Sequence, residues 1–223
     1  TSPNIDRLAG EGILFKDSYA SAIATGPGFT SLFTGLAAIN HGFYLTPWNV
    51  PNAQLLDDEL LTLPELIQAR GPYTTAAFDN LINFRSHMKQ FVRGFEFYVN
   101  VTRSPGWLHH HVLGGEVNRR LLPWLEDHAD EPFFAFVHYW DPHIPYNVPE
   151  GFRGQFDQQR EELAVQRSPD GYDYVPGWGP VDRLPGRGED LSVDRYDDEV
   201  FYADHCVGLV RDKLEALGVL DQT

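Results

Sequence analysis

Two hydrophobic periods alternate along the chain. Ser2 and Pro3 read as an N-cap and a first-turn proline. They lead a short helix with Ile5, Leu8 and Ala9 on one face and Gly12 past its end. Ile13 to Tyr19 then reads as a strand. Phe29, Leu32 and Phe33 recur at i, i+3 and i+4 before Gly35, predicting a second helix that begins around Gly28. Thr62 and Glu65 form a capping box for a third helix that stops at Gly71, and Tyr73 to Phe78 follows as a strand. From Gly115 to about His128, Val117, Leu121, Trp124 and Leu125 share one helical face. Phe133 to Tyr139 is apolar on both faces, as a central parallel strand is when helices cover both sides of its sheet. Tyr196, Val200, Ala203, Val207, Val210, Leu214 and Leu217 spell out one long amphipathic helix ending at Gly218. This alternation predicts an α/β fold with a mostly parallel central sheet flanked by helices.

Residues 147–192 break the rhythm with proline, glycine, arginine and acidic residues of no clear period, and read as a long surface insertion. No internal repeat is evident. The first helix has no strand before it, and Val219 to Thr223 stops where a further strand is expected. Residues 1–223 are therefore expected to be a partial domain, incomplete at both ends.

At 42% hydrophobic, 223 residues suffice to bury the core of one domain. The formal charge of −15, from 32 acids against 17 bases, argues against nucleic acid, because binding a phosphate backbone needs clustered Lys and Arg. The single cysteine, Cys206, excludes an intrachain disulfide and a Cys-based zinc site. Ala203, Val207 and Val210 around it predict a buried, inert thiol on a helix face. No apolar run reaches the roughly 18 residues of a membrane span.

Thr25 stands immediately before a helix start containing Pro27 and Gly28. Backbone N–H groups and the positive end of the helix dipole at such a start favour an anionic ester and the charge that develops when it is attacked. Thr25 is thus a candidate nucleophile that needs a metal or a base for activation; the plainer alternative is a helix cap. At Asp141 to Tyr146 the apolar strand gives way to a turn fixed by two prolines. In open α/β sheets ligands bind beyond the carboxyl ends of the strands, which makes His143 a candidate to bond a substrate oxygen or protonate a leaving group. Asp141 either orients His143 or forms an Asx turn. His138, inside the strand, reads as a satisfied core or supporting residue. His109 to His111 reads as a solvated or loop tract, His41 before Gly42 as a turn residue, and Asp57 to Glu59 and Asp197 to Glu199 as solvated faces. No Walker loop or dinucleotide fingerprint is present.

These segments resemble the N-terminal domain of the sulfatase family, in the alkaline-phosphatase-like superfamily. Thr1-Ser-Pro-Asn-Ile-Asp-Arg-Leu-Ala-Gly-Glu-Gly-Ile-Leu-Phe15 is similar to the family's Thr-Pro-Asn-Leu-Asp-Arg-Leu-Ala-x-Glu-Gly-x-x-Phe segment. Ten residues on, Thr25, Pro27, Gly28-Phe29 and Ser31-Leu-Phe-Thr-Gly35 fall where members carry Cys or Ser, Pro, Ser-Arg and Ser-Leu-Leu-Thr-Gly. His41-Gly42 matches a His-Gly that commonly follows. Phe133 to Tyr146 resembles Pro-Phe-Phe-x-Phe-x-His-Tyr-x-Asp-Pro-His-x-Pro-Tyr, and Tyr196 to Thr223 the helix leading to a further metal-binding strand.

The resemblance implies a metal-dependent hydrolase of sulfate or phosphate esters acting through a covalent intermediate on Thr25, with His143 touching the anion and Asp141 beside it. It implies one or two divalent ions: Ca2+ for sulfatase chemistry, or Zn2+, Mn2+ or Mg2+ for phosphatase-like chemistry. Thr25 would be one ligand, and carboxylate pairs expected outside this sequence the others, so the 223 residues alone are expected to be inactive. The implied substrate is a small anionic ester, or a sulfated or phosphorylated glycan or lipid headgroup. Thr25 departs from the pattern because it is no precursor of formylglycine, and Phe29 replaces the motif Arg. A threonine here is similar to the nucleophile of phosphodiesterases and phosphoglycerol transferases. Another alternative is a non-catalytic anion-binding protein.

Overall fold

The computed structural model describes residues 1–44, 56–80, 89–101, 112–143, 146, 148–156, 166–167, 173–175, 179–180 and 193–223. His109 to His111 and much of the 147–192 segment lie outside the described residues.

A three-stranded parallel sheet, ordered β2-β1-β3, forms the centre. Its strands are β1 (Thr74–Asp79), β2 (Phe97–Asn100) and β3 (Phe133–His138). The apolar run of Phe133 to Tyr139 was expected to be central. That place belongs instead to β1, whose residues 75–79 are buried, whereas β3 lies at the edge of the described sheet and is half-buried throughout. Short Ala76 and Ala77 lack the bulk that marks a core strand in sequence, yet small side chains allow close packing from both faces.

Period-2 alternation sorts the sheet residues between two layers. Ala76, Phe78, Val99, Phe133, Ala135 and Val137 meet α5 (Gly114–Asp127) and α6 (Val193–Ala216) through Val117, Leu121, Trp124, Leu125 and Leu214. The opposite face carries an aromatic cluster of Phe33, Phe43 and Phe91 with Phe29, Phe95, Tyr98, Phe136 and Trp140. Phe29 and Phe33 come from α2 (Thr25–Thr34). Their rings stand edge-on to Phe136, with centroids at 5.7 and 4.9 Å. Helices therefore cover both sides, as predicted.

Several helix boundaries follow local rules. In α1 (Pro3–Glu11) Ser2 is the N-cap and Gly12 closes the end. Thr62 and Glu65 make the reciprocal capping box of α4 (Leu63–Arg70), which follows the short α3 (Ala38–His41). Helix α6 ends at Ala216, and Gly218 beyond it takes φ 74. Its packed stripe runs through Tyr202, Cys206, Val210 and Leu214 and is continued by Leu217 just past its end, while Tyr196 is exposed.

Three further expectations fail. Ile13 to Tyr19 is not a strand: no ladder forms there, and Ile13, Leu14, Phe15 and Tyr19 are exposed. A strand needs a neighbour for its N–H and C=O groups, and no described strand lies beside this segment. Helix α2 begins at Thr25 rather than around Gly28. A proline is harmless within the first turn, where N–H groups have no helical partner. The acids at 197–199 are not a solvated face, since Asp198 and Glu199 are buried. Asp198 accepts the backbone N–H groups of Gly154 (2.8 Å) and Gln155 (3.0 Å), fixing the start of the 147–192 segment to α6. Within that segment, β4 (Gln166–Arg167), β5 (Asp173–Val175) and β6 (Gly179–Pro180) form a small antiparallel sheet.

Candidate functional site

Thr25 is the first residue of α2, one position inside the cap, which is Ala24. The N-cap position itself falls to Ala24, which makes no side-chain capping bond. The first helical bond runs from Gly28 N–H to the Ala24 carbonyl (2.9 Å), so the N–H groups of Thr25 and Gly26 precede the helical ladder. Thr30 Oγ1 bonds back to the Gly26 carbonyl (2.9 Å), stiffening this turn. His41 holds the helix from the side: its Nδ1 accepts the Phe43 N–H (3.0 Å), which puts the ring hydrogen on Nε2, 3.0 Å from Ser31 Oγ. Burial pushes its pKa below the usual 6.5 and keeps it neutral. It is the last residue of α3, ahead of Gly42, which takes φ 69, so the residue read as a turn position instead closes a short helix and braces α2.

Beyond β3 the chain turns through Trp140, Asp141, Pro142 and His143, with a cis bond between Asp141 and Pro142. Four contacts pin this turn. Asn80, just past β1, accepts the Trp140 N–H (2.8 Å) and donates to the Val112 carbonyl (2.6 Å). Asp141 Oδ2 accepts the N–H of Gly114, the first residue of α5 (3.0 Å), where the helix dipole favours its negative charge. The Tyr139 hydroxyl donates to Asn118 within α5. The His143 N–H closes the turn on the Trp140 carbonyl (2.8 Å). Asp141 is buried and its carboxylate is committed to α5, which makes it an anchor for the loop, whereas the His143 ring is exposed and stacks on Trp140 (centroids 4.0 Å apart, 27° between planes).

The structure adds a polar cluster that no local sequence pattern singled out. Asp79, fully buried at the end of β1, accepts hydrogen bonds from His138 Nδ1 (2.8 Å), Tyr98 OH (3.1 Å) and Asn100 Nδ2 (2.6 Å). Parallel register sets Asp79 against both His138 and Asn100. Burial and the Asp79 charge both raise the Tyr98 pKa, so its hydroxyl stays a donor. The only sequence signal was the pair Asp79-Asn80 interrupting an apolar run at a strand's carboxyl end. His138, read as a supporting residue, is bonded to this carboxylate.

Ring contacts bring the two predicted site residues to one edge of the sheet. Phe29 stands edge-on to His138 (4.9 Å), and His138 to Trp140 (6.3 Å), which carries His143. Thr25 lies one turn before Phe29, about 6 Å along the helix axis. Phe33, one turn after Phe29, meets Phe95 and Phe136 deeper in the sheet, so Thr25 lies toward the carboxyl ends of the strands. Among the described residues, no group of three or more His, Cys, Asp or Glu is arranged to hold a metal ion. No described helix is long and apolar enough to cross a membrane.

Human N-sulphoglucosamine sulphohydrolase is 27% identical over 232 residues, matching 100% of this chain and 44% of its own length. The multifunctional alkaline phosphatase superfamily protein PehA of Trinickia caryophylli is 27% identical over 65% of this chain and 37% of its own length. The chain thus spans less than half of each of these relatives. The crystal structure of the phosphonate monoester hydrolase of Agrobacterium radiobacter superposes with a TM-score of 0.67 at 21% identity, covering 99% of this chain and 56% of that one, and its likeness is one of fold. The family model for Sulfatase matches residues 1–223. With this match spanning the whole sequence and a helix-flanked parallel sheet of the alkaline-phosphatase-like kind, the chain belongs to the sulfatase family.

Proposed function

We propose that the full-length protein hydrolyses sulfate or phosphate esters, with Thr25 as nucleophile and His143 at the leaving group. The observation that carries this reading is the position of Thr25: its hydroxyl opens α2 at the sheet edge that the pinned His143 loop also occupies. In the first step Thr25 Oγ bonds to sulfur or phosphorus, its proton passes to solvent, and the ester oxygen departs as an alcohol protonated by His143. Water then releases the anion from Thr25. The α2 N-terminus offers backbone N–H groups and a positive dipole end to the charged oxygens. A divalent ion, Ca2+ for sulfate or Zn2+, Mn2+ or Mg2+ for phosphate, would lower the pKa of the attacking hydroxyl, its ligands coming from residues other than the described carboxylates. Thr25 excludes formylglycine chemistry in this reading. The substrate is a small anionic ester, or a sulfated or phosphorylated glycan or lipid headgroup, in keeping with the sulfated glucosamine named for the human relative.

A second reading, a binding protein without turnover, draws on Phe29. Where family members carry a motif Arg, this side chain packs among Phe33, Phe91, Phe136 and His138 and gives the anion no cation. Turnover of matched aryl sulfate, phosphate monoester and phosphate diester substrates by the full-length protein, across divalent metals, decides between them. Metal-dependent hydrolysis that disappears in Thr25→Ala supports the nucleophile assignment, and the preferred substrate settles sulfur against phosphorus. A folded, metal-loaded protein inactive on all of them supports the binding reading.

A further inference from the structure

We propose that His138, locked by the buried Asp79 carboxylate, is a positioning residue that sets the spacing between the Thr25 helix and the His143 loop. This deepens the reading of Thr25 and His143 as a site and rests on it. His138 projects from the last position of β3 onto the α2 face of the sheet. Its Nδ1 bond to Asp79 fixes the rotation of the ring, since Asp79 is itself held by Tyr98 and Asn100 from β2. One flank of that fixed ring meets the edge of Phe29, one turn along α2 from Thr25. Another meets Trp140, the platform on which His143 stacks. The imidazole is therefore a spacer bonded to the sheet and touching the two elements whose separation determines where nucleophile and acid stand. A purely apolar filler of the same size would occupy the gap but would be free to turn, and an amide would keep the bond to Asp79 but not the contacts.

Two variants of the full-length protein separate these properties. His138→Asn retains a donor near Nδ1 and loses the ring; His138→Phe retains a ring and loses the donor. Misplacement on the ångström scale lowers rate more than binding, so both variants are expected to fold cooperatively and lose about 100-fold in kcat with KM changed less than about twofold. The His143 ring resonances, displaced by the ring current of Trp140 in the parent, are expected to move toward the positions of a free histidine. Parental kcat in either variant, a loss confined to KM, or unmoved His143 resonances would overturn the proposal. Thr25→Ala run alongside keeps the two questions apart: full activity there sinks the nucleophile reading, while the His143 resonances still decide this one. Should the His138 variants fail to fold, Phe29→Leu removes the same ring contact without disturbing the Asp79 bond, and the same outcomes apply to it.

Discussion

Two side chains owe their charge state to burial, and each yields a test. Cys206, on the packed stripe of α6, is 1% exposed, and its thiol pKa is pushed up to about 12 chiefly by burial. It is expected to resist a thiol-specific reagent in native protein and to react fully in denaturant, so its reaction rate reports opening of α6; rapid native labelling would contradict the packing. His41 works in the opposite sense for pH. Its pKa is lowered in the folded state, so the unfolded chain binds more protons below about pH 6.5, and stability present above that pH is lost as pH falls. The urea midpoint should drop between pH 7.5 and 5.5, and drop less in His41→Gln, whose side chain has no such titration. Thr25 and His143 stand out as candidates in the sequence because the signals around them are local: a helix start, and a proline-fixed turn after an apolar run. Asp79 does not, because its partners lie 19, 21 and 59 residues away and only strand register brings them near.

Elements whose ends carry capping chemistry were read correctly, and the structure shows where those ends are tied. Asp204 of α6, fully buried, accepts the N–H groups of Asn4 (3.1 Å) and Ile5 (2.8 Å) and the Asn4 side chain (2.7 Å), capping α1 from 200 residues away. Arg211 adds a paired bond to Glu11 at the other end of α1 (3.0 and 2.9 Å). Asp204→Ala should cost about 1–2 kcal/mol, as lost caps do, and raise amide exchange selectively in α1. Exchange rising equally in α5 would mean that α1 does not unfold on its own. A sharper effect is expected at Gly94, which takes φ 78 between β2 and the turn before it. A Cβ there would stand 2.3 Å from the backbone nitrogen of Glu65, in the capping box of α4, so neither element can yield without breaking the other. Gly94→Ala should destabilise by about 3 kcal/mol, read as a fall in urea midpoint. The failed strand at Ile13 to Tyr19 shows the limit of this reasoning, since a pattern marks which residues favour a ladder but cannot supply the neighbour.

At the scale of the whole molecule, the parallel sheet joins segments far apart in the chain while α5 and α6 are built from local contacts. Closing such loops is entropically costly and slow. Helical signal is therefore expected to return early in refolding, before the near-ultraviolet signal of the aromatic cluster around Phe33, Phe43 and Phe91. Simultaneous recovery of both would show that helices and sheet form as one unit. The fold class was legible from the alternation of elements. The order of the strands was not, because Ala76 and Ala77 carry too little hydrophobic weight to announce the central strand.

The cluster around Asp79 has a consequence for fidelity of assembly. A slip of one residue between β1 and either neighbour would turn that neighbour's donors, Tyr98 and Asn100 of β2 or His138 of β3, to the opposite layer, leaving the carboxylate in an apolar interior with part of its hydrogen bonding lost. Such an arrangement costs several kcal/mol, whereas a similar slip in an all-apolar sheet would cost far less. Asp79 thus acts as a proofreading mark: misregistered sheets are penalised by the same carboxylate that holds His138 in the correct one.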